Sequence, residues 1–106
     1  MIAHLLVMYP NPKDPKAFER AYREGHLPYA RPRLKGATGL VSKRVALAPG
    51  ERSLYHAVSD VTFPSLEALQ AAAASTSGKE ALAHAASIST GGPPVILVVT
   101  DDFAAS

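Results

Sequence analysis

Two apolar runs, one near each end of the chain, constrain the fold most. Ile2 to Tyr9 is closed by Pro10-Asn11-Pro12, and Val95 to Thr100 is a dense β-branched stretch. Both are short enough for strands and too short for buried helices. In the first, Ile2, Leu6 and Met8 point one way and Ala3, Leu5 and Val7 the other. In the last, Val95, Leu97 and Val99 oppose Ile96 and Val98. A sheet that reads apolar on both faces has to be covered on both faces. With 106 residues in the chain, one domain over 1–106 must supply that cover or recruit it.

The segments between these runs complete a pattern. Asp14-Pro15 predicts a helix start, an Asp N-cap followed by a proline with no N–H to leave unpaired. Phe18, Ala21, Tyr22 and Gly25 then mark one helical face. Gly25 and Pro28 predict its end, with Leu27 pushed out of the helical region by the following proline. Residues 29–37 read as an irregular basic loop with Arg31, Arg33 and Lys35. Thr38 to Leu47 and Leu54 to Phe63 read as a second and third strand. The short connection 48–52 makes them an antiparallel hairpin. Pro64-Ser65 opens a second helix with Leu66, Leu69, Ala72 and Ala73 on its stripe. Ser75 to Gly78 interrupts it, and Lys79 to Ser87 resumes it, before Thr90-Gly91-Gly92-Pro93-Pro94 stops it. The order is βαββαβ, which right-handed crossovers close into a ferredoxin-like, four-stranded antiparallel sheet with helices on one face. The other face is apolar as well. A second copy of the sheet is the economical cover, so a homodimer is expected. The alternative, a monomer covered by its own tail and loops, has only six tail residues to work with.

Composition removes several function classes. A net charge of +2 is too small a surplus for a nucleic-acid surface. The absence of cysteine removes disulfides, thiol nucleophiles and thiolate metal sites, and suits the cytoplasm. No apolar run reaches the roughly 20 residues of a membrane helix, and the N-terminal run lacks the basic lead-in of a signal peptide.

Three stretches carry a family resemblance. They are Tyr9-Pro10 before the helix bearing Phe18 and Tyr22; His26-Leu27-Pro28 at that helix's end; and Phe63 to Leu69, followed by Ser77-Gly78-Lys79 and Thr90-Gly91-Gly92. In this order and spacing the chain resembles the EthD-like family of small dimeric α+β-barrel proteins. The resemblance implies a barrel formed by two ferredoxin-like sheets packed face to face. Similar barrels include muconolactone-type isomerases, polyketide cyclases, cofactor-free monooxygenases and haem-binding degraders. The chain departs from the family in carrying His84 where Asp is common and Lys43 where an aromatic is common.

His26 is the leading candidate for acid–base work, since histidine titrates near neutrality. Its alternative role is to tie off helix carbonyls. Strict alternation along the third strand puts His56 and Asp60 together on the face that lines the barrel. There they would suit proton transfer, although four residues of strand separate them by about 13 Å. Their alternative is a wet barrel mouth. Tyr9, Tyr22 and Tyr29 are candidates to line a pocket beside His26, with core packing the competing role for Tyr22. Lys43 either faces the barrel to attract an anion or, with Arg44, decorates an exposed strand. His4 and His84 come without ligand spacing, so neither a metal nor a cofactor is expected.

The leading expectation is a cofactor-free homodimer that isomerises, cyclises or dehydrates a small hydrophobic carbonyl or lactone metabolite. A non-catalytic ligand-binding or accessory protein for an oxidative degradation system is the alternative. A cofactor-free monooxygenase or haem binder is the third.

Overall fold

A computed structural model describes residues 1–47 and 53–105. The elements are β1 (Ala3–Pro10), α1 (Pro15–Arg20), α2 (Leu27–Ala30), β2 (Gly39–Arg44), β3 (Tyr55–Phe63), α3 (Leu66–Ala74), α4 (Thr76–Ile88) and β4 (Val95–Val99). The four strands form one sheet in the order β2-β3-β1-β4, each pair antiparallel. This is the ferredoxin-like arrangement that the element order predicts. The connection 48–52 lies outside the described residues.

Alternation sorts the sheet into two faces. Ala3, Leu5, Val7 and Tyr9 of β1, with Ser59, Val61 and Phe63 of β3, are buried. They meet Phe18, Tyr22, Leu69, Ala72, Ala81 and Ala85 from the helical layer. The opposite face carries Leu6 and Met8, paired with Leu97 and Val95 of β4. Val58 and Asp60 of β3 share it with Lys43 and Val41 of β2. The residues on this open face include Val41 at 53 %, Leu97 at 44 % and Val99 at 41 % exposure. The apolar character of both faces, read from the two terminal runs, is therefore present in the fold.

The first helix does not stop at Gly25. Ala21–His26 continues as a π-helix, then α2, then a 3-10 turn over Arg31–Arg33. Leu27 stays helical at φ −59° and ψ −47°, and its N–H bonds to the carbonyl of Tyr22. A proline one residue later cannot donate and would crowd the preceding turn. The widened turn absorbs Pro28 without breaking the helix. The expected loop at 29–37 is accordingly helical through Arg33.

Between α3 and α4 only Ser75 leaves the helical path. Its Oγ accepts from the Gly78 N–H at 3.0 Å and caps α4. Gly78 is required there, because a Cβ would lie 1.8 Å from the Ala72 carbonyl oxygen. A cap and a close approach thus replace the four-residue interruption expected from composition.

A candidate site under the first helix

A cleft of about 370 Å³ opens between the first helical segment and the β2–β3 edge of the sheet. Phe18, Leu27, Leu40 and Ala57 give it apolar walls, and Glu19, Tyr22, Ser42 and Arg44 give it polar groups. Alternation brings Leu40, Ser42 and Arg44 to this side, opposite Val61, Ser59 and Ala57.

Glu19 organises one end. Its two carboxylate oxygens accept from the Arg44 guanidinium at 2.6 and 2.7 Å. Oε2 also accepts from His56 Nε2 at 2.8 Å. The Arg44 and His56 hydrogen bonds hold the Glu19 carboxyl down at about pKa 2, and Glu19 in turn raises Arg44. A carboxylate this acidic is a poor proton acceptor; it serves to hold the imidazole in one orientation. The His56 ring also stands edge-on to Phe18, with centroids 5.7 Å apart.

This placement corrects the strict alternation assumed for β3. Tyr9 pairs with Ala57, but Pro10 pairs with Tyr55, so the register slips at this end of the ladder. A bulge sets two residues against one and turns His56 to the helical side. Asp60 keeps its place on the open face, where it accepts from His4 Nδ1 at 2.8 Å. His56 and Asp60 therefore lie on opposite faces. The histidine's carboxylate partner is Glu19, which sequence reasoning missed. The only trace of Glu19 was its i,i+4 relation to Arg23, now 3.7 Å away, a spacing common on any exposed helix.

Tyr22 forms the back of the cleft. Its hydroxyl bonds to Ser42 Oγ and to Ser59 Oγ. If both serines donate, the phenol's own hydrogen is available to a ligand oxygen. Ser59 is buried at 5 % exposure, a polar residue at an inward position, and that was the legible signal for this group. Tyr9 lies deeper, 1 % exposed, with its ring 5.8 Å from Tyr22. Its hydroxyl is buried without a hydrogen bond, and desolvation followed by the nearby Tyr22 pushes its pKa up.

Behind Tyr22 the interior is nearly full. The void touching Tyr9, Tyr22 and His26 is about 20 Å³, room for a water but not a metabolite. His26 is buried at 7 % exposure, and its Nδ1 lies 2.9 Å from His84 Nδ1. Burial, then the neighbouring His84, lowers its pKa to about 4. The rings of His26 and His84 stack at 5.1 Å, and Tyr29 stacks on His84 at 4.5 Å. The Arg33 guanidinium carbon sits 3.6 Å from the Tyr29 ring centroid. Tyr29 thus belongs to an outer aromatic column, away from the cleft. Lys43 is exposed on β2, opposite Val58, and contributes to the cleft rim. Among the described residues no group of three or more His, Cys, Asp or Glu could hold a metal ion, and no helix is long and apolar enough to cross a membrane.

Fold and cleft together define a small ferredoxin-like α+β protein. The chain is similar to an ethyl tert-butyl ether d (EthD) family protein from Bacillus halodurans C-125, with a TM-score of 0.83 and 22 % identity over 96 % of this chain and 100 % of that one. A dimeric ferredoxin-like protein of unknown function from Jannaschia sp. CCS1 matches at 0.63, with 17 % identity over 94 % and 98 % of the two chains. The cofactor-independent oxygenase SnoaB from Streptomyces nogalater matches at 0.57, with 17 % identity over 94 % and 91 %. No protein-family model and no curated protein matches the chain. The EthD resemblance read from three sequence stretches thus has its counterpart in a fold shared over nearly the whole length.

Proposed function

We propose that this protein carries out cofactor-free proton transfer (isomerisation, cyclisation or dehydration) on a small hydrophobic carbonyl or lactone compound bound in the cleft under the first helix. The observation that carries the reading is Glu19 on the wall of an apolar-lined cleft backed by Tyr22, with His56 held 2.8 Å from it and opening on the adjoining hollow beside Tyr55 and Val45. Glu19 accepts a hydrogen bond from the His56 Nε2–H, which leaves Nδ1 with the free lone pair. His56 takes a proton from the carbon next to the carbonyl, Tyr22 donates a hydrogen bond to the resulting enolate oxygen, and the imidazolium returns the proton at a second carbon. No electron leaves or enters, so the reaction balances without a redox partner. The Streptomyces oxygenase is cofactor-independent by its own description, which supports chemistry of this economy on the fold.

His26 supports Tyr22 from behind, its ring 5.5 Å away, and Tyr9 fills the floor. Tyr29 shapes the outside of the same helical segment, and Lys43 guards the rim. Asp60, held by His4, belongs to the open face. That face is covered by a second copy of the chain, because Val41, Leu97 and Val99 would otherwise stay exposed; the Jannaschia neighbour is described as dimeric. The protein works in the cytoplasm, which its lack of cysteine suits. A second reading, a non-catalytic binding or accessory protein for an oxidative degradation system, draws support from the interior behind Tyr22, which side chains fill to about 20 Å³.

The test is α-proton exchange in D2O, followed by NMR, with phenylacetone and 2-tetralone as probes. Exchange catalysed by the wild type is expected to fall about 100-fold in His56→Asn, the usual scale for a general base, and by about as much in Tyr22→Phe, the scale for losing one oxyanion donor. Binding of the probes without exchange overturns the catalytic reading in favour of the second.

A further inference from the structure

The charge around the cleft narrows the class of ligand. The lining contains Arg23, Arg31, Lys43 and Arg44 against a single carboxylate, Glu19. The whole chain has a formal surplus of only two positive charges, so the cleft is more cationic than the protein that holds it. Glu19 does not cancel this excess. Both its oxygens are occupied by Arg44, and one also by His56. Arg23 reaches the same carboxylate only at 3.7 Å and is 62 % exposed. Among the described residues Arg31 and Lys43 have no carboxylate partner.

The cations also stand in a useful order. Phe18, Leu27, Leu40 and Ala57 make an apolar trough, Tyr22 and Ser42 put hydroxyls at its back, and Arg23, Arg31 and Arg44 stand along its rim, with Lys43 beside them on the strand whose alternation turns it to the open face. A neutral apolar ligand would leave that rim facing water and gain nothing from it. A ligand with an apolar body and an anionic head would bury the body in the trough and place the head among the cations. Guanidinium groups recognise carboxylates with charge-assisted bonds stronger than neutral ones. Low-dielectric walls focus the field of such a rim and raise the local concentration of anions.

We propose that the substrate is an amphipathic carboxylate: an apolar carbonyl compound whose acid group is held at the rim by Arg31, with Arg23 and Lys43 adding to the field, while its carbonyl oxygen meets Tyr22. The proposal rests on the cleft being the functional site. Arg31 is a positioning group for the acid and has no part in proton transfer.

The test compares 3-benzoylpropanoate with its methyl ester, which keeps the aryl ketone and removes the charge. Both are titrated into 15N-labelled protein, followed by amide shifts, at low salt and at 0.5 M salt. The acid is expected to bind at least about tenfold more tightly than the ester, the effect of one hydrogen bond to a charged group. Its shifts should centre on Tyr22, Ser42 and Ala57. The preference should shrink at high salt and fall severalfold in Arg31→Gln, a surface change that leaves the core intact. Equal binding of acid and ester in the cleft overturns the anionic class and leaves the cleft reading standing. Failure of both to bind there overturns both. An acid preference that survives Arg31→Gln and Arg23→Gln together overturns the assignment of the rim.

Discussion

Burying His26 makes stability depend on pH in a way that can be worked out in advance. The imidazole is 7 % exposed and packed against His84 and Tyr22, so its pKa falls from 6.5 to about 4. A histidine depressed on folding binds its proton more readily in the unfolded chain. Between pH 6.5 and pH 4 the unfolded state therefore holds more protons, and stability rises with pH across that window. Above 6.5 both states are neutral and the effect is absent; below 4 both are protonated and the penalty is complete. Each tenfold difference in proton affinity between the two states is worth about 1.4 kcal/mol, so the loss from pH 7 to pH 4 is about 3 kcal/mol. The assay is urea unfolding at half-unit steps from pH 7.5 to 4, at fixed protein concentration because dimerisation would otherwise move the midpoint. His26→Asn keeps a polar nitrogen toward His84 and removes the titration. The wild type should lose about 3 kcal/mol more than the variant over this range. Parallel curves for the two would refute the claim that His26 is buried as the neutral base.

Other outcomes follow from single contacts. Gly78→Ala should destabilise the fold by more than about 2 kcal/mol, read as a drop in melting temperature, because the new Cβ would lie 1.8 Å from backbone that cannot move cheaply. Glu19 has a pKa held down at about 2 from 4.5, so the stability it contributes is present above pH 4.5 and lost as pH falls toward 2; Glu19→Gln should flatten acid unfolding in that window. Leu97→Asp on the open face, where the leucine is 44 % exposed, should give a folded monomer in native mass spectrometry where the wild type gives a dimer. A wild-type monomer would contradict the second-copy cover.

How much of this was legible depends on the element. The four strands were, because their apolar runs and Pro/Gly stops are local signals. The ends of β1 and β4 shift by no more than a residue or so. The first helix was not, because proline normally marks an end, and a π turn that carries the chain past Pro28 leaves no trace in periodicity. His56 was expected beside Asp60 on the barrel-lining face and lies on the helical side instead, since the bulge at this end of β3 slips alternation by one. Glu19 looked like one more solvent-facing residue on a helix. Its role emerges only when the β2–β3 edge brings Arg44 and His56 to it. His84, which comes without ligand spacing, stacks on His26 from 58 residues away in sequence, a pairing that no local pattern encodes.

The location of the functional cleft is the claim on which the rest depends. Its most direct test is a crystal structure of the protein soaked with phenylacetone or 3-benzoylpropanoate. Density for the compound between Phe18, Leu40 and Ala57, with its carbonyl oxygen within hydrogen-bond distance of the Tyr22 hydroxyl, is the predicted result. Density on the open face of the sheet instead, against Leu6, Val58 and Asp60, would contradict it and return the site to the interior between two sheets.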